Sequence, residues 1–367
     1  MAVGVLLSRK NSFNNPLAAM LSCSGLELTG NERRLFERCN PLGVTLFSRN
    51  IDNKEQVTNL IASIKKAIGR DNVIIAVDQE GGRVRRLLPP HFRAYTSTGK
   101  IYQITDEKKR RRAFELHAQL ISQELREVGF NLNYAPVLDI PIGEMTEALA
   151  GRTCGDTVKD VCRYGKVLAD TYMKSAICPC IKHIPGHGRA KVDPHLELPV
   201  VDAKLSEIIK TDIVPFKHLS EAPMAMTAHI VIEDLCDKPV TISRKGINFI
   251  RNKVGFDGFL VSDAINMKAL KGSVGVKTRS CLEAGCDAVL YCFGKYEEMV
   301  EVIKYANPLS EESMQRLNKV NTVINRKVYK EDIKELEKEY YEIIGSVDDY
   351  FNDYDSTEIL YRMKEAK

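Results

Sequence analysis

Apolar runs bounded by turn residues recur along the chain, with amphipathic stretches between them. The runs are AAMLS (18–22), GVTLF (43–47), VIIAVD (73–78), FNLNYAPV (130–137), ICPCIKH (177–183), PMAMTAH (223–229), GFLVSD (258–263) and DAVLYC (287–292). Most lack strict apolar/polar alternation, which predicts strands buried on both faces of a parallel sheet. The clearest helix is predicted over 105–128, where Ala113, Phe114, Ala118, Ile121, Leu125 and Val128 keep a helical spacing with charges between them. Further helices are predicted near 31–39, 53–68, 157–175, 204–219, 243–253, 276–284 and 296–305. Strands alternating with helices in this number predict an α/β fold, a TIM-type (β/α)8 barrel. A doubly wound open sheet is the rival, and closure fits the repeat better.

After about residue 309 the pattern changes. Segment 310–365 is rich in Lys, Glu, Asp and Tyr, has no proline, and carries few strand signals. The expected division is a barrel over 1–308 and a charged helical extension over 309–367, packed on the outside of the barrel or trailing from it with a frayed end. No Pro/Gly/Ser-rich linker separates the two.

Composition narrows the function. The 367 residues, 44% apolar and 28% charged, suit a soluble globular chain with one large barrel. A net charge of +4 gives no argument for nucleic acid or an acidic membrane surface as partner. The basic cluster Lys108–Arg112 follows Thr105, Asp106 and Glu107, and reads as the solvated first turns of a helix. No segment approaches the roughly eighteen apolar residues that span a bilayer. The opening MAVGVLLSRKNSFNNP lacks the basic-then-apolar order of a secretory signal. The ten cysteines include no C-x-x-C pair and several sit in apolar runs, so buried thiols in a reducing compartment, the cytoplasm, are expected.

In a barrel of this type the chemistry collects at the C-terminal ends of the strands. The third strand ends at Asp78 and runs into QEGGRVRR. The fourth leads through Asp139 into a loop holding GRTCGD (151–156). The fifth ends at Lys182-His183, the sixth at His229 and the seventh at Asp263. Five successive strands deliver titratable groups to one rim, and this convergence outweighs any single motif. Each residue also has a plainer reading: Asp78 or Asp263 as a helix N-cap, Arg83, Arg85 and Arg86 as surface charges, His229 as a packing residue, Asp139 as a brace for its loop. Gly81-Gly82 suggests a close backbone approach but forms no dinucleotide fingerprint, and no P-loop is present. The stretch IKHIPGHGRAKVDPH (181–195) invites a metal reading through His183, His187, Asp193 and His195. Its histidines lie on a Pro/Gly-broken loop rather than a helix, and Lys182 beside them opposes a dication, so no metal is expected.

DQEGGRVRR (78–86), the K-H-x-P-G-H-G-x4-D-x-H run (182–195) and GFDGFLVSDAINM (255–267) resemble the family 3 glycoside hydrolases, more narrowly the single-domain bacterial β-N-acetylhexosaminidases of cell-wall recycling. The resemblance implies Asp263 as carboxylate nucleophile, His195 as acid/base and Asp193 as its partner. It implies Asp78, Arg86, Arg152, Lys182 and His183 as the residues that hold an N-acetylglucosamine ring, with Lys182 also keeping nearby carboxylates ionised. It implies no metal and no organic cofactor. The expected activity is that of a retaining exo-β-N-acetylglucosaminidase acting on a small carbohydrate or muropeptide, as a monomer. Phosphorolysis is a close alternative, because a histidine acid/base adds no fixed negative charge against phosphate. A metallohydrolase and a non-catalytic sugar-binding relative are the other readings. His187 is expected to stabilise its loop through hydrogen bonds. The chain departs from the family pattern at Cys154, Ile184, Pro194 and Ala264, departures that bear on rate and loop mobility rather than on residues assigned to chemistry.

Overall fold

The computed structural model describes residues 15–143, 146–329 and 332–347. The N-terminal residues 1–14 and the expected frayed end, 348–367, lie outside the described residues. The strands are β1 Leu17–Leu21, β2 Pro41–Thr45, β3 Ile74–Val77, β4 Leu132–Asn133, β5 Cys178–Ile184, β6 Val200–Val201, β7 Met224–Thr227, β8 Val231–Ile232, β9 Phe259–Ala264 and β10 Ala288–Leu290. Eight of them close a parallel barrel in the order β1-β2-β3-β4-β5-β7-β9-β10, and β6 and β8 pair separately as a small parallel sheet. All the predicted strand runs enter the barrel, which is the (β/α)8 fold.

The missing alternation in the sequence has its cause here. In β3, Ile74 and Ala76 face the barrel interior, while Ile75 and Val77 face the surrounding helices, and all four are buried. β4 is only two residues long because the chain turns at Ala135–Pro136, where proline has no N–H to give a ladder.

The helices of ten residues or more are α1 Gly30–Cys39, α2 Lys54–Ile68, α3 Glu107–Val128, α4 Val158–Lys174, α5 Val274–Ala284, α6 Tyr296–Tyr305, α7 Glu311–Ile324 and α8 Ile333–Ile344. Asp106 caps α3 by accepting from the N–H groups of Lys108 and Lys109, so the basic cluster does form its first turns. Two predicted helices differ from expectation. The 204–219 stretch splits into Leu205–Ile208 and Val214–His218, the second starting with Pro215 in its first turn. The 243–253 stretch is α-helical over Arg244–Phe249 and then widens into a π turn over Ile250–Val254.

In the C-terminal segment, α7 packs against the N-terminal end of the barrel. Its Leu317, Val320 and Val323, with Leu309 before it, join the apolar cluster that fills the barrel interior beneath Met20, Leu42, Ile74 and Phe259. It closes the N-terminal mouth. α8 packs along α3 on the flank. Among the described residues no helix is long and apolar enough to cross a membrane. All ten cysteines are free, and all but Cys39 and Cys162 are buried.

Candidate active site

Asp78 follows β3 directly, Arg86 lies in the loop beyond it, and Arg152 comes from the loop after β4. Lys182 and His183 end β5, Asp193 and His195 sit on the loop that follows, and Asp263 lies in β9. All eight line one pocket at the C-terminal mouth. Neither Asp78 nor Asp263 caps a helix. Phe47, Met226, Leu290 and Cys292 also line the pocket and belong to the cluster filling the barrel, so the cavity is closed below and opens at the rim. Lys182 and His183 are neighbours in sequence yet both line it, at the point where the pairing of β5 with β7 shifts register between Lys182 and Ile184.

One wall is a buried lattice of charge. Lys182 Nζ lies 2.7 Å from Asp78 Oδ1 and 2.6 Å from Glu80 Oε1. Arg152 grips Glu80 with two bonds, Nε to Oε2 at 2.9 Å and Nη2 to Oε1 at 2.7 Å. Arg86 Nη2 stands 3.8 Å from Asp78 Oδ2. Burial pushes the Glu80 carboxyl up, but Arg152 and Lys182 outweigh it and hold the group far below the usual carboxylate range. Burial acts against the Lys182 ammonium, and Asp78 and Glu80 more than restore it, leaving its pKa above the ordinary value. Lys182 is therefore matched by Asp78 and Glu80, and it lowers the Glu80 carboxyl in return. Sequence reasoning quoted Glu80 within its motif and gave it no role. The signal was available: Asp78 and Glu80 are two apart at an extended strand end, which puts both on one face.

Asp263 is ionised by other neighbours. Burial raises its carboxyl, while His229, His183, His195 and the N–H of Ala264, bonded to Oδ1 at 2.7 Å, bring it below the usual value. His229 is fully buried and donates from Nε2 to the carbonyl oxygen of Ala264 at 3.1 Å, bracing the end of β9 behind Asp263. Its Nδ1 lies 2.9 Å from Thr241 Oγ1. Burial lowers its pKa, and the Asp263 charge opposes that shift.

Two aspartate–histidine pairs complete the site. Asp193 Oδ1 lies 2.7 Å from His195 Nδ1 and also accepts the backbone N–H of His195 at 2.9 Å. Asp139 Oδ2 lies 2.7 Å from His183 Nδ1, and its Oδ1 accepts the N–H groups of His183 at 3.2 Å and His187 at 2.7 Å. Burial raises the Asp139 carboxyl, and His183, with the His187 N–H, more than offsets it. Asp139 ties its own segment to the end of β5 and the loop after it, rather than bracing only the loop after the fourth strand, and it orients His183. His187 departs from expectation. Its backbone N–H ties the loop to Asp139, but neither ring nitrogen has a hydrogen-bond partner, and burial pushes the ring's pKa down to about 4. Gly81 and Gly82 do mark a close approach, to their own chain: a Cβ on them would meet Thr96 O at 2.3 Å and Ser97 Cβ at 2.6 Å. Among the described residues no group of three or more His, Cys, Asp or Glu side chains is placed to hold a metal ion.

A family model, the glycosyl hydrolase family 3 N terminal domain, matches residues 21–326. A β-hexosaminidase of Bordetella avium is 31% identical over 293 residues, covering 78% of this chain and 83% of its own. One of Stenotrophomonas maltophilia is 33% identical over 298 residues, covering 78% and 86%. Among solved structures, NagZ from Neisseria gonorrhoeae in complex with N-trifluoroacetyl-D-glucosamine superposes with a TM-score of 0.79 at 27% identity, over 90% of this chain and 98% of that one.

Proposed function

The chain belongs to glycoside hydrolase family 3, and from that premise we propose that it is a retaining exo-β-N-acetylglucosaminidase that removes non-reducing N-acetylglucosamine from muropeptides in the cytoplasm. The observation that carries the reading is the meeting of Asp263 with the Asp193–His195 pair in a single pocket closed at its floor. A cavity sealed below by Phe47, Met226, Leu290 and Cys292 suits a terminal sugar. The names of the relatives support the N-acetylhexosaminide, and the ten free cysteines suit a reducing compartment.

In the first step an oxygen of Asp263 bonds to the anomeric carbon as the bond to the leaving oxygen breaks, and that oxygen takes a proton from His195. With Nδ1 committed to Asp193, the transfer runs through Nε2. Asp193 holds the ring's orientation throughout. In the second step water attacks the same carbon, His195 takes the water's proton, and the Asp263 ester breaks. Two displacements return the original anomer. The depressed carboxyl of Asp263 suits the attacking role. Asp78, Arg86, Arg152, Lys182 and His183 hold the ring's hydroxyl and acetamido groups through a lattice whose charges are already paired, so binding needs little reorganisation.

The test is turnover of 4-nitrophenyl N-acetyl-β-D-glucosaminide in metal-free, phosphate-free buffer. Wild type should release nitrophenol with the β-anomer as first product, seen by proton NMR. Asp263→Ala should fall to background, and His195→Ala should lose about 10²–10⁴ in kcat. Undiminished turnover by Asp263→Ala removes the proposal. Turnover appearing only when phosphate is added, with sugar 1-phosphate as product, replaces hydrolysis by phosphorolysis.

A further inference from the structure

Helix α8 lies beyond residue 326, where the match to the family domain ends. Its Tyr340 is fully buried, with the hydroxyl 3.0 Å from His117 Nδ1 on α3. The other ring nitrogen, His117 Nε2, lies 2.9 Å from the backbone carbonyl oxygen of Glu80. A carbonyl only accepts, so Nε2 carries the proton and donates it. Burial keeps the ring neutral, its pKa pushed down to about 4, so Nδ1 presents a lone pair and accepts from the tyrosine hydroxyl. One tautomer satisfies both bonds.

The contact with the turn after Glu80 is close. Gly81 has φ +92°, and a Cβ there would stand 2.8 Å from His117 Cε1. α8 also clasps the segment behind that turn. Glu337 Oε2 accepts from Arg93 Nε at 3.1 Å, and Tyr341 donates its hydroxyl to the Ala94 carbonyl at 3.0 Å. Tyr95 in turn accepts the N–H of Gly82 at 2.9 Å. The side chain of Glu80 holds both Lys182 and Arg152.

We propose that α8 is a positioning element for the active site: through Tyr340 and His117 it fixes the Glu80 backbone, so that the Glu80 carboxylate holds Lys182 and Arg152 in sugar-binding geometry. Tyr340 and His117 touch no substrate and are positioning residues. The proposal rests on the reading of Lys182 and Arg152 as sugar-binding residues.

The test uses the full chain carrying Tyr340→Phe, His117→Leu, His117→Gln or Glu80→Gln. KM and kcat are measured with the nitrophenyl substrate, and Kd for N-acetylglucosamine by calorimetry. Tyr340→Phe and His117→Leu should raise KM and Kd about three- to tenfold with kcat changed less than twofold. His117→Gln keeps an N–H near the position of Nε2 and should recover part of the loss. Wild-type KM and Kd in Tyr340→Phe and His117→Leu, beside raised values in Glu80→Gln, overturn the coupling and leave the reading of the site standing. Unchanged values in Glu80→Gln remove that reading and the proposal together, as does a wild type that neither binds nor cleaves. A lower melting temperature with KM and Kd unmoved reduces α8 to ordinary packing and overturns the proposal.

Discussion

Two aspartate–histidine pairs face the same pocket with the same 2.7 Å bond from carboxylate to Nδ1, and they are built in opposite ways. Asp139 and His183 are 44 residues apart, Asp139 is fully buried, and its second oxygen accepts two backbone N–H groups. Asp193 and His195 are two residues apart on one loop, with side chains 10% and 16% exposed. A pair assembled from distant residues keeps its geometry only while the frame around it is rigid, which suits a fixed grip on substrate. A pair carried on one loop travels intact when the loop moves, which suits an acid/base that must reach a leaving group and then a water. In the proposed mechanism the same two side chains thus serve different ends according to how their carboxylate is anchored.

The sharpest way to break this contrast is Asp193→Ala set against Asp139→Asn. In the proposed mechanism Asp193→Ala leaves His195 unoriented and should lower kcat by about 10²–10⁴, with folding stability within about 1 kcal/mol of wild type. Steady-state kinetics and thermal unfolding on the same samples check both halves. A kcat loss of equal size at unchanged KM in Asp139→Asn would mean that both pairs move protons.

Acid sensitivity sharpens it further. The buried pair is flanked by His187, whose ring centroid lies 5.6 Å from that of His183 and whose pKa is held near 4. In the unfolded chain a histidine titrates near 6.5, so between that value and about 4 the unfolded state binds the proton more readily. Stability should therefore fall as pH drops through this window, by of order 3 kcal/mol for this group, and level off below it. Asp139 and Asp263, both depressed, contribute stability that is complete above their unfolded values and lost only as pH falls through their lower folded ones. Melting temperatures from pH 7.5 to 4.5 should slope downward, and His187→Phe should flatten that slope. An unchanged slope would show that His187 is not held neutral.

Asp139→Asn itself comes next in size. The amide keeps an acceptor but loses the charge, and one of three N–H bonds faces a donor, so stability should drop by about 1.5–3 kcal/mol. KM should rise as His183 loosens, while kcat holds. Denaturant midpoints with an unchanged slope would attribute the loss to the folded state.

What the sequence made legible follows from the same contrast. Asp193 and His195 could be read together because their partnership is local, and the strand ends could be read because both faces of each strand are apolar. The eight expected site residues do share one pocket. Glu80 with Arg152, 72 residues away, leaves no periodic trace, and neither does Tyr340 with His117 across 223 residues. The placement of α7 was hidden for a related reason: Leu317, Val320 and Val323 mark an apolar face, but nothing local says that the face closes a barrel mouth. Tertiary context decided these, whereas Pro215 in the first turn of Val214–His218 is a local signal.

The smallest effect concerns how the loop pair is stiffened. Pro194 sits between its members, and its carbonyl accepts from Ala269 N at 3.1 Å while that of His195 accepts from Lys268 N at 3.3 Å. Proline has no N–H, so Pro194→Thr removes no hydrogen bond and leaves both carbonyls in place. It frees the unfolded chain, and stability should fall by about 0.4–1 kcal/mol. Because the Asp193–His195 bonds lie within the loop, kcat should stay within about threefold of wild type. A tenfold or larger fall in kcat would mean that this pair, too, depends on a rigid frame, and the distinction between a fixed grip and a travelling acid/base would lose its physical basis.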